Sequence, residues 1–318
     1  MITISTKINP ESISQAAKII REGGLVAFPT ETVYGLGANA LDSEAVRKIY
    51  EAKGRPSDNP LILHVSSFEQ ASELVYMNNV AEKLIAKFWP GPLTLVLPAK
   101  EIVPLSTRGG LETAAIRMPD NPVAQALIKA SGVPIAAPSA NISGRPSPTD
   151  FESVYNDMNG RVNMILDGGK VDVGIESTVI DVTNPEKILM LRPGGMPREL
   201  IENVLDAKLY FPDETSKKRS PGTRYKHYAP NIPVVIWRKS KNFPEINNAA
   251  YMGVHDVDCN CAGKIIFPDI NSYAHGLFAG FREFEAKNFA CIIVEWPEGD
   301  SGVSEGLRDR ISRAAGEK

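Results

Sequence analysis

The sequence predicts an α/β protein: a twisted mixed sheet with flanking helices and an open anion-binding cleft, joined to a second, small α/β (Rossmann-like) domain. Three observations predict it. Short apolar runs of strand length recur among amphipathic stretches of helical period. The two do not alternate strictly, so some neighbouring strands should pair antiparallel. Hydroxyls, amides and cations gather where apolar runs end, which is where open α/β sheets bind their ligands. At 318 residues, and with about 100–200 residues per domain, the chain has room for two domains.

Asn9-Pro10 supplies a cap and a proline at the first helical position, with Ile13, Ala16, Ala17 and Ile20 as the apolar stripe, and Gly23-Gly24 as the stop. Residues 25–28 read as a buried strand. Beyond Pro29 the chain turns hydroxyl-rich and then Gly-rich, and the Gly35-x-Gly37 pair is expected to let backbone approach a ligand. Residues 43–52 read as a helix leading to Lys53 and Arg55, on a loop stiffened by Pro56 and Pro60 that also carries Asn59. Two cations beside a Gly-bearing turn point to a polyanion, most simply a nucleotide triphosphate; a solvated pair in a turn is the plain alternative. Residues 61–65 form a strand with His64 near its end, and residues 80–88 a helix broken by Trp89-Pro90-Gly91-Pro92. Residues 93–97 and 113–118 are strands, the second carrying Thr113 and Arg117. Asn121-Pro122 starts another helix, which Gly132 ends.

A strand over 133–137 runs into the polar segment 138–147, and Thr149 or Asp150 can cap the next helix. Residues 162–166, 177–182 and 187–191 are strand candidates, the last ending at Arg192, and a helix over 197–205 closes a first domain of residues 1–206. Residues 207–231 have no apolar period and are punctuated by Pro and Gly, which is linker chemistry. The segment is also cationic and aromatic, so it can serve either as a tether or as a lid over an anion. Residues 232–318 form the small domain, with strands over 234–237, 251–254, 264–267 and 291–296 and helices over 272–287 and 305–315.

Lys and Arg total 35 against 38 Asp and Glu, a net charge of −3, which disfavours nucleic acid as the main partner while permitting a local basic cleft. No run approaches about 18 apolar residues and the first residues carry no signal-peptide pattern, so a cytoplasmic protein without a membrane partner is expected. Cysteines stand only at 259, 261 and 291, too few for a disulfide framework. Cys259-Asn260-Cys261 with His255 and Cys291 could furnish metal ligands, but zinc sites more often leave two residues between paired cysteines; reduced, partly buried thiols are expected, and no metal ligand is assigned. No P-loop is present and no Gly-x-Gly-x-x-Gly follows a strand. Gly302-Val303-Ser304-Glu305-Gly306 matches a hydrolase nucleophile elbow by letters, but no histidine follows it. What remains is a set of anion-recognising side chains at separate strand-to-loop junctions.

Four runs carry a resemblance. Pro29-Thr-Glu-Thr-Val-Tyr-Gly-Leu-Gly37, Lys53-x-Arg55-Pro-x-x-Asn59-Pro60, Pro138-Ser-Ala-Asn-x-Ser-Gly144 and Glu176-Ser-Thr-Val179 resemble the L-threonylcarbamoyladenylate synthases, which begin the threonylcarbamoyladenosine modification of tRNA. The linker from Ser220 to Pro230 resembles that of the two-domain form, with Thr223-Arg224 departing from the expected Met-Lys and keeping the charge. The resemblance implies that L-threonine, bicarbonate or CO₂, and ATP, usually with Mg²⁺, give threonylcarbamoyl-AMP and pyrophosphate. It implies that Lys53 and Arg55 face the phosphates, with Asn59, Thr113, Ser139, Asn141, Ser147, Arg192 and Tyr228 on the nucleotide side. Thr32, His64, Arg117, Ala137 and Ser177 would line the threonine side, where Arg117 suits the amino-acid carboxylate. It also admits hand-off of the product to a downstream tRNA threonylcarbamoyl transferase, with weak or no direct binding of tRNA. Two rival readings are a double-stranded RNA-binding module without turnover and carbamoyl transfer for metal-centre maturation.

Overall fold

The computed structural model describes residues 1–213, 228–299 and 302–317, and within these the apolar runs assemble into two sheets. The larger has ten strands: β1 (Ile4–Lys7), β2 (Val26–Phe28), β3 (Gly35–Asn39), β4 (Ile62–His64), β5 (Leu93–Pro98), β6 (Thr113–Arg117), β7 (Ile135–Ala136), β8 (Met164–Asp167), β9 (Thr178–Asp181) and β10 (Leu189–Arg192). Their spatial order is β1-β8-β2-β3-β7-β4-β6-β5-β9-β10. Parallel pairs (β1 with β8, β4 with β6, β5 with β9) mix with antiparallel ones (β2 with β3, β3 with β7, β5 with β6), the mixed sheet expected from the irregular alternation.

The helices of this part are α1 (Pro10–Arg21), α2 (Ser43–Lys53), α3 (Phe68–Leu74), α4 (Asn79–Phe88), α5 (Pro122–Ser131), α6 (Phe151–Met158) and α7 (Arg198–Leu205). Asn9, Asn121 and Asp150 cap α1, α5 and α6 by accepting from backbone N–H groups of the first turn. Ala16, Ala17 and Ile20 of α1 and Leu127 and Ile128 of α5 pack with Val26 and Phe28 on one face of the sheet. Ala27 joins Leu36, Leu63 and Ile116 in the core of the other face. Strand alternation then fixes the site: with Leu63 and Ile116 facing that core, their neighbours His64 and Arg117, paired in register, face the opposite side together.

Three elements were not anticipated: β1, α3 and β3. The last corrects the reading of Gly35-x-Gly37 as a loop for ligand approach. Gly37 lies in a strand opposite Val26, and a Cβ there would stand 2.7 Å from Phe28 Cε1 and 2.8 Å from Ile135 Cγ2. Its glycine makes room for the Phe28 ring; Gly35 alone of the pair borders the cleft.

The second sheet is wholly parallel, in the order β11 (Val234–Trp237), β14 (Cys291–Glu295), β12 (Ala249–Gly253), β13 (Gly263–Ile266), with α8 (Ile270–Ala286) and α9 (Ser304–Ala315) packed on it. It meets the first domain through an apolar cluster that takes in Val33 and Ile175 and through polar contacts. Arg282 Nη2 donates to Asp157 Oδ2 at 2.7 Å and Pro146 O at 2.6 Å, Arg145 Nη2 reaches both Glu285 oxygens at 2.9 and 3.0 Å, and His275 Nε2 lies 2.8 Å from Val171 O. Cys259 and Cys261 sit half-buried between β12 and β13 with sulfurs 2.8 Å apart, and Cys291 is buried at the start of β14. Among the described residues no helix is long and apolar enough to cross a membrane. Residues 214–227, which hold most of the expected lid including Arg224 and Lys226, lie outside the described residues.

Candidate active site

The residues that β4 and β6 turn away from the core line a cleft bounded by the segments after β2 and β7, the loop after α2, and the turns flanking β9 and β10. Ten of the residues singled out from sequence border it: Thr32, Arg55, His64, Arg117, Ala137, Ser139, Asn141, Ser177, Arg192 and Tyr228.

One end is built around Arg117. Its Nε donates to Gly91 O at 3.2 Å and its Nη1 to Thr32 Oγ1 at 2.9 Å. Nη2 stands 2.5 Å from Glu31 Oε1, close enough for an ion pair but outside hydrogen-bonding geometry. Nη2 and both Glu31 oxygens are therefore buried without a hydrogen bond, and the distance and the geometry together describe a pair with bonding capacity to spare. Burial, reinforced by Arg117, pushes His64 down to about 3, so its imidazole is neutral at ordinary pH, with Nδ1 buried and unpartnered. Thr30 Oγ1 lies 2.9 Å from Thr32 Oγ1 and donates to Val33 O at 2.6 Å, fixing this hydroxyl-rich turn.

The other end holds Arg55 and Arg192. Arg55 Nη2 donates to Pro60 O at 3.2 Å and Asn59 O at 3.4 Å, while Nε has no partner. Burial pushes Arg55 down to about 10 and also lowers Arg192, the signature of cations held away from water. Arg192 Nη2 donates to Ser177 O at 2.9 Å and lies 3.3 Å from Ser177 Oγ, which is itself 2.8 Å from Thr94 Oγ1. Ser139 Oγ donates to Asn141 Oδ1 at 2.5 Å, and Asn141 Nδ2 donates to Ile142 O and Arg145 O at 2.8 and 2.9 Å. Tyr228, at a left-handed φ of 69°, closes this end with its ring 5.4 Å from that of Phe278.

Four of the singled-out residues are not part of the lining. Lys53 is 2 % exposed; its Nζ donates to Ser139 O and Asn141 O at 2.5 Å each, holding the 138–144 loop from beneath. Burial drives its ammonium well below the usual lysine range, Arg55 adding to the effect. Ser147 Oγ donates to Glu176 Oε1. Asn59 is buried, with its carbonyl accepting from Tyr50 Oη at 3.2 Å. Thr113 opens β6 half-buried, opposite Pro98.

Sequence reasoning passed over three charged residues. Glu31 and Glu176 stand inside the runs that carry the resemblance but are not among the residues it singles out. Burial acts to raise the Glu176 carboxyl, but Arg310, Arg192 and the Ser147 hydroxyl hold it below the usual carboxylate range. Arg310, from the second domain, falls on the buried stripe of α9, three residues after Leu307 and four before Ala314, and that spacing is the one sequence signal that separates it from Arg308 and Arg313.

A resident divalent cation does not fit these residues. Mg²⁺ takes oxygen ligands, usually waters and one or two carboxylates together with substrate phosphates, whereas Glu176, the one carboxylate bordering the cleft among the described residues, has its two oxygens taken by Ser147 and Arg310. No group of three or more metal-ligating side chains occurs among the described residues. An ion arriving on a triphosphate belongs to the substrate.

Residues 18–194 match a family described as telomere recombination (Sua5, YciO and YrdC), and residues 196–316 match one described as the threonylcarbamoyl-AMP synthase C-terminal domain. The threonylcarbamoyl-AMP synthases of Pyrococcus abyssi and Bacillus subtilis are each 43% identical to this chain, over 99% of it and 97% and 96% of their own lengths. A crystal structure of P. abyssi Sua5 complexed with L-threonine superposes with a TM-score of 0.89 at 41% identity, covering 99% of this chain and 97% of that one.

Proposed function

The chain belongs to the threonylcarbamoyl-AMP synthase family, and on that premise we propose that its cleft condenses L-threonine, bicarbonate or CO₂, and ATP into L-threonylcarbamoyl-AMP, releasing pyrophosphate. One observation carries the assignment to this cleft: a single cavity has buried cations at two ends, each with its own hydroxyls and amides. That suits two anions presented to one another, an amino-acid carboxylate and a polyphosphate.

At the Arg117 end the threonine carboxylate meets the Arg117 guanidinium, whose Nη2 is ion-paired with Glu31 but makes no hydrogen bond, and Thr32, neutral His64 and Ser177 surround the rest of the amino acid. The threonine ammonium gives up a proton to solvent, and the free amine adds to CO₂ with release of a second proton to form the carbamate; His64, held neutral by burial, stands beside it without adding charge. The carbamate oxygen then attacks the α-phosphate, and the bond to pyrophosphate breaks. At the other end Arg55 and Arg192 meet the charge that grows on the phosphoryl oxygens, with Ser139 and Asn141 on the loop that Lys53 supports. The step asks for positioning and fixed positive charge more than covalent help. Tyr228 covers the nucleotide side, and exclusion of water protects both the carbamate and the mixed anhydride. The adenylate passes to a downstream transferase that acts on tRNA; the net charge of −3 argues against tRNA as a principal ligand of this chain. The RNA-binding and carbamoyl-transfer readings gain no comparable support, because the similarity to the synthases extends over both domains.

The test is to incubate purified protein with ATP, Mg²⁺, bicarbonate and threonine and measure pyrophosphate and the adenylate. Pyrophosphate release that needs threonine and bicarbonate is expected; release indifferent to threonine would overturn the proposal.

A further inference from the structure

We propose that Arg310, in the small domain, is a positioning residue for the nucleotide half of the cleft, acting through Glu176 and Tyr228. The inference rests on reading that half as the site of adenylate formation.

Arg310 lies on α9 with 0 % exposure, the largest fully buried side chain among the described residues. It reaches into the other domain: Nε donates to Glu176 Oε2 at 2.6 Å and Nη1 to Pro193 O at 3.0 Å. Nη1 is also anchored by Asp309 Oδ2 at 2.6 Å. The guanidinium carbon stands 5.1 Å from the centre of the Tyr228 ring, within cation–π range. Both Glu176 and Tyr228 border the cleft. Glu176 in turn accepts from Ser147 and precedes Ser177, whose carbonyl holds Arg192. One guanidinium thus braces a carboxylate, an aromatic wall and, at one remove, a phosphate-facing arginine.

Two features separate this from ordinary domain glue. A buried ion pair is a weak source of stability, and apolar residues of similar volume often serve as well; Arg310 is an expensive way to join domains unless its placement of Glu176 matters. Tyr228 adopts a positive φ, which a bulky residue keeps only where its surroundings impose it. Arg310 on one side, Phe278 on another, and the Ala229 N–H donating to Gly144 O at 2.9 Å supply those surroundings. The domains also approach too closely here for ordinary side chains: a Cβ on Gly306, in α9, would stand 2.9 Å from Gly194 O. The small domain therefore completes the nucleotide side from behind.

The experiment compares the full-length chain with Arg310→Met, Arg310→Lys, Glu176→Gln and the Arg310→Met/Glu176→Gln double variant. The readouts are melting temperature, kcat, and separate KM values for ATP and threonine. Arg310→Met is expected to raise the KM for ATP or lower kcat by tenfold or more, with the KM for threonine within twofold of wild type. Arg310→Lys should recover part of the loss, because an ammonium can still reach Glu176 but cannot offer a planar face to Tyr228. The double variant should lose no more than the worse single one, since both act through one contact. Wild-type ATP parameters in Arg310→Met, or equal losses for both substrates in step with a lower melting temperature, would overturn the proposal; should that variant fail to fold, the same split in Arg310→Lys decides it. A wild-type chain that binds ATP yet forms no adenylate would instead overturn the functional reading, and ATP affinities by calorimetry would still decide the role of Arg310.

Discussion

Replacing Lys53 by Met tests whether this lysine acts on substrate or on the loop that faces it. The substitution keeps most of the buried stem and deletes the donor that serves Ser139 O and Asn141 O, each at 2.5 Å. Two buried carbonyls are then left unpaired at about 1–3 kcal/mol each, roughly 2–6 kcal/mol in total. Part is returned, because burial already disfavours the ammonium, leaving a net loss on the order of 2–4 kcal/mol. For a domain of this size that corresponds to a fall in melting temperature of roughly 4–16 °C. The released loop carries Ser139 and Asn141, so turnover should fall as well, with the KM for ATP rising. Thermal unfolding followed by calorimetry, paired with pyrophosphate release at saturating threonine, reads both effects. An unchanged melting temperature with turnover abolished would refute the reasoning and make Lys53 a direct phosphate ligand.

Arg55→Ala should behave oppositely, since its side chain borders the cleft with an unpartnered Nε: turnover drops by ~10²-fold or more for loss of one fixed cation on a reacting phosphate, and near-normal pyrophosphate release would remove Arg55 from the mechanism. Valine should compete poorly with threonine, by roughly 1–3 kcal/mol for the polar partner its missing hydroxyl leaves unsatisfied, and serine by about 1 kcal/mol for the lost methyl; competition assays in which all three serve equally would contradict the pocket. His64 makes stability depend on pH in a defined sense. Its folded value of about 3 lies below the unfolded 6.5, so only the unfolded chain takes up the proton between them. Its contribution is complete above pH 6.5 and is lost as pH falls towards 3, at ~1.4 kcal/mol per pH unit. His64→Gln should flatten acid unfolding over that window, and an identical pH profile would show that His64 is not buried neutral.

The sequence by itself determined the elements whose causes are local. Asn9-Pro10, Asn121-Pro122 and Asp150 specify helix starts because their side chains or rings satisfy constraints within one turn, and the structure caps α1, α5 and α6 there. The apolar runs specify strands for the same reason, burial of a few consecutive side chains. The runs containing Thr32, Arg55, Ser139 and Ser177 marked the cleft, whose border all four share, because open α/β sheets gather such residues at strand ends. What tertiary structure decided is everything that depends on what lies opposite. Gly37 reads as a ligand-facing glycine until Phe28 and Ile135 are found across from it. Lys53 reads from sequence as a cation after a helix, and only the tertiary structure supplies Ser139 O and Asn141 O as acceptors for its ammonium. Arg310 is one of several charges on α9, and only the docking of the two domains buries it against Glu176. Pairing partners far apart in sequence are chosen by the collapse of the whole chain, and a charge acquires its meaning from the partner that collapse supplies.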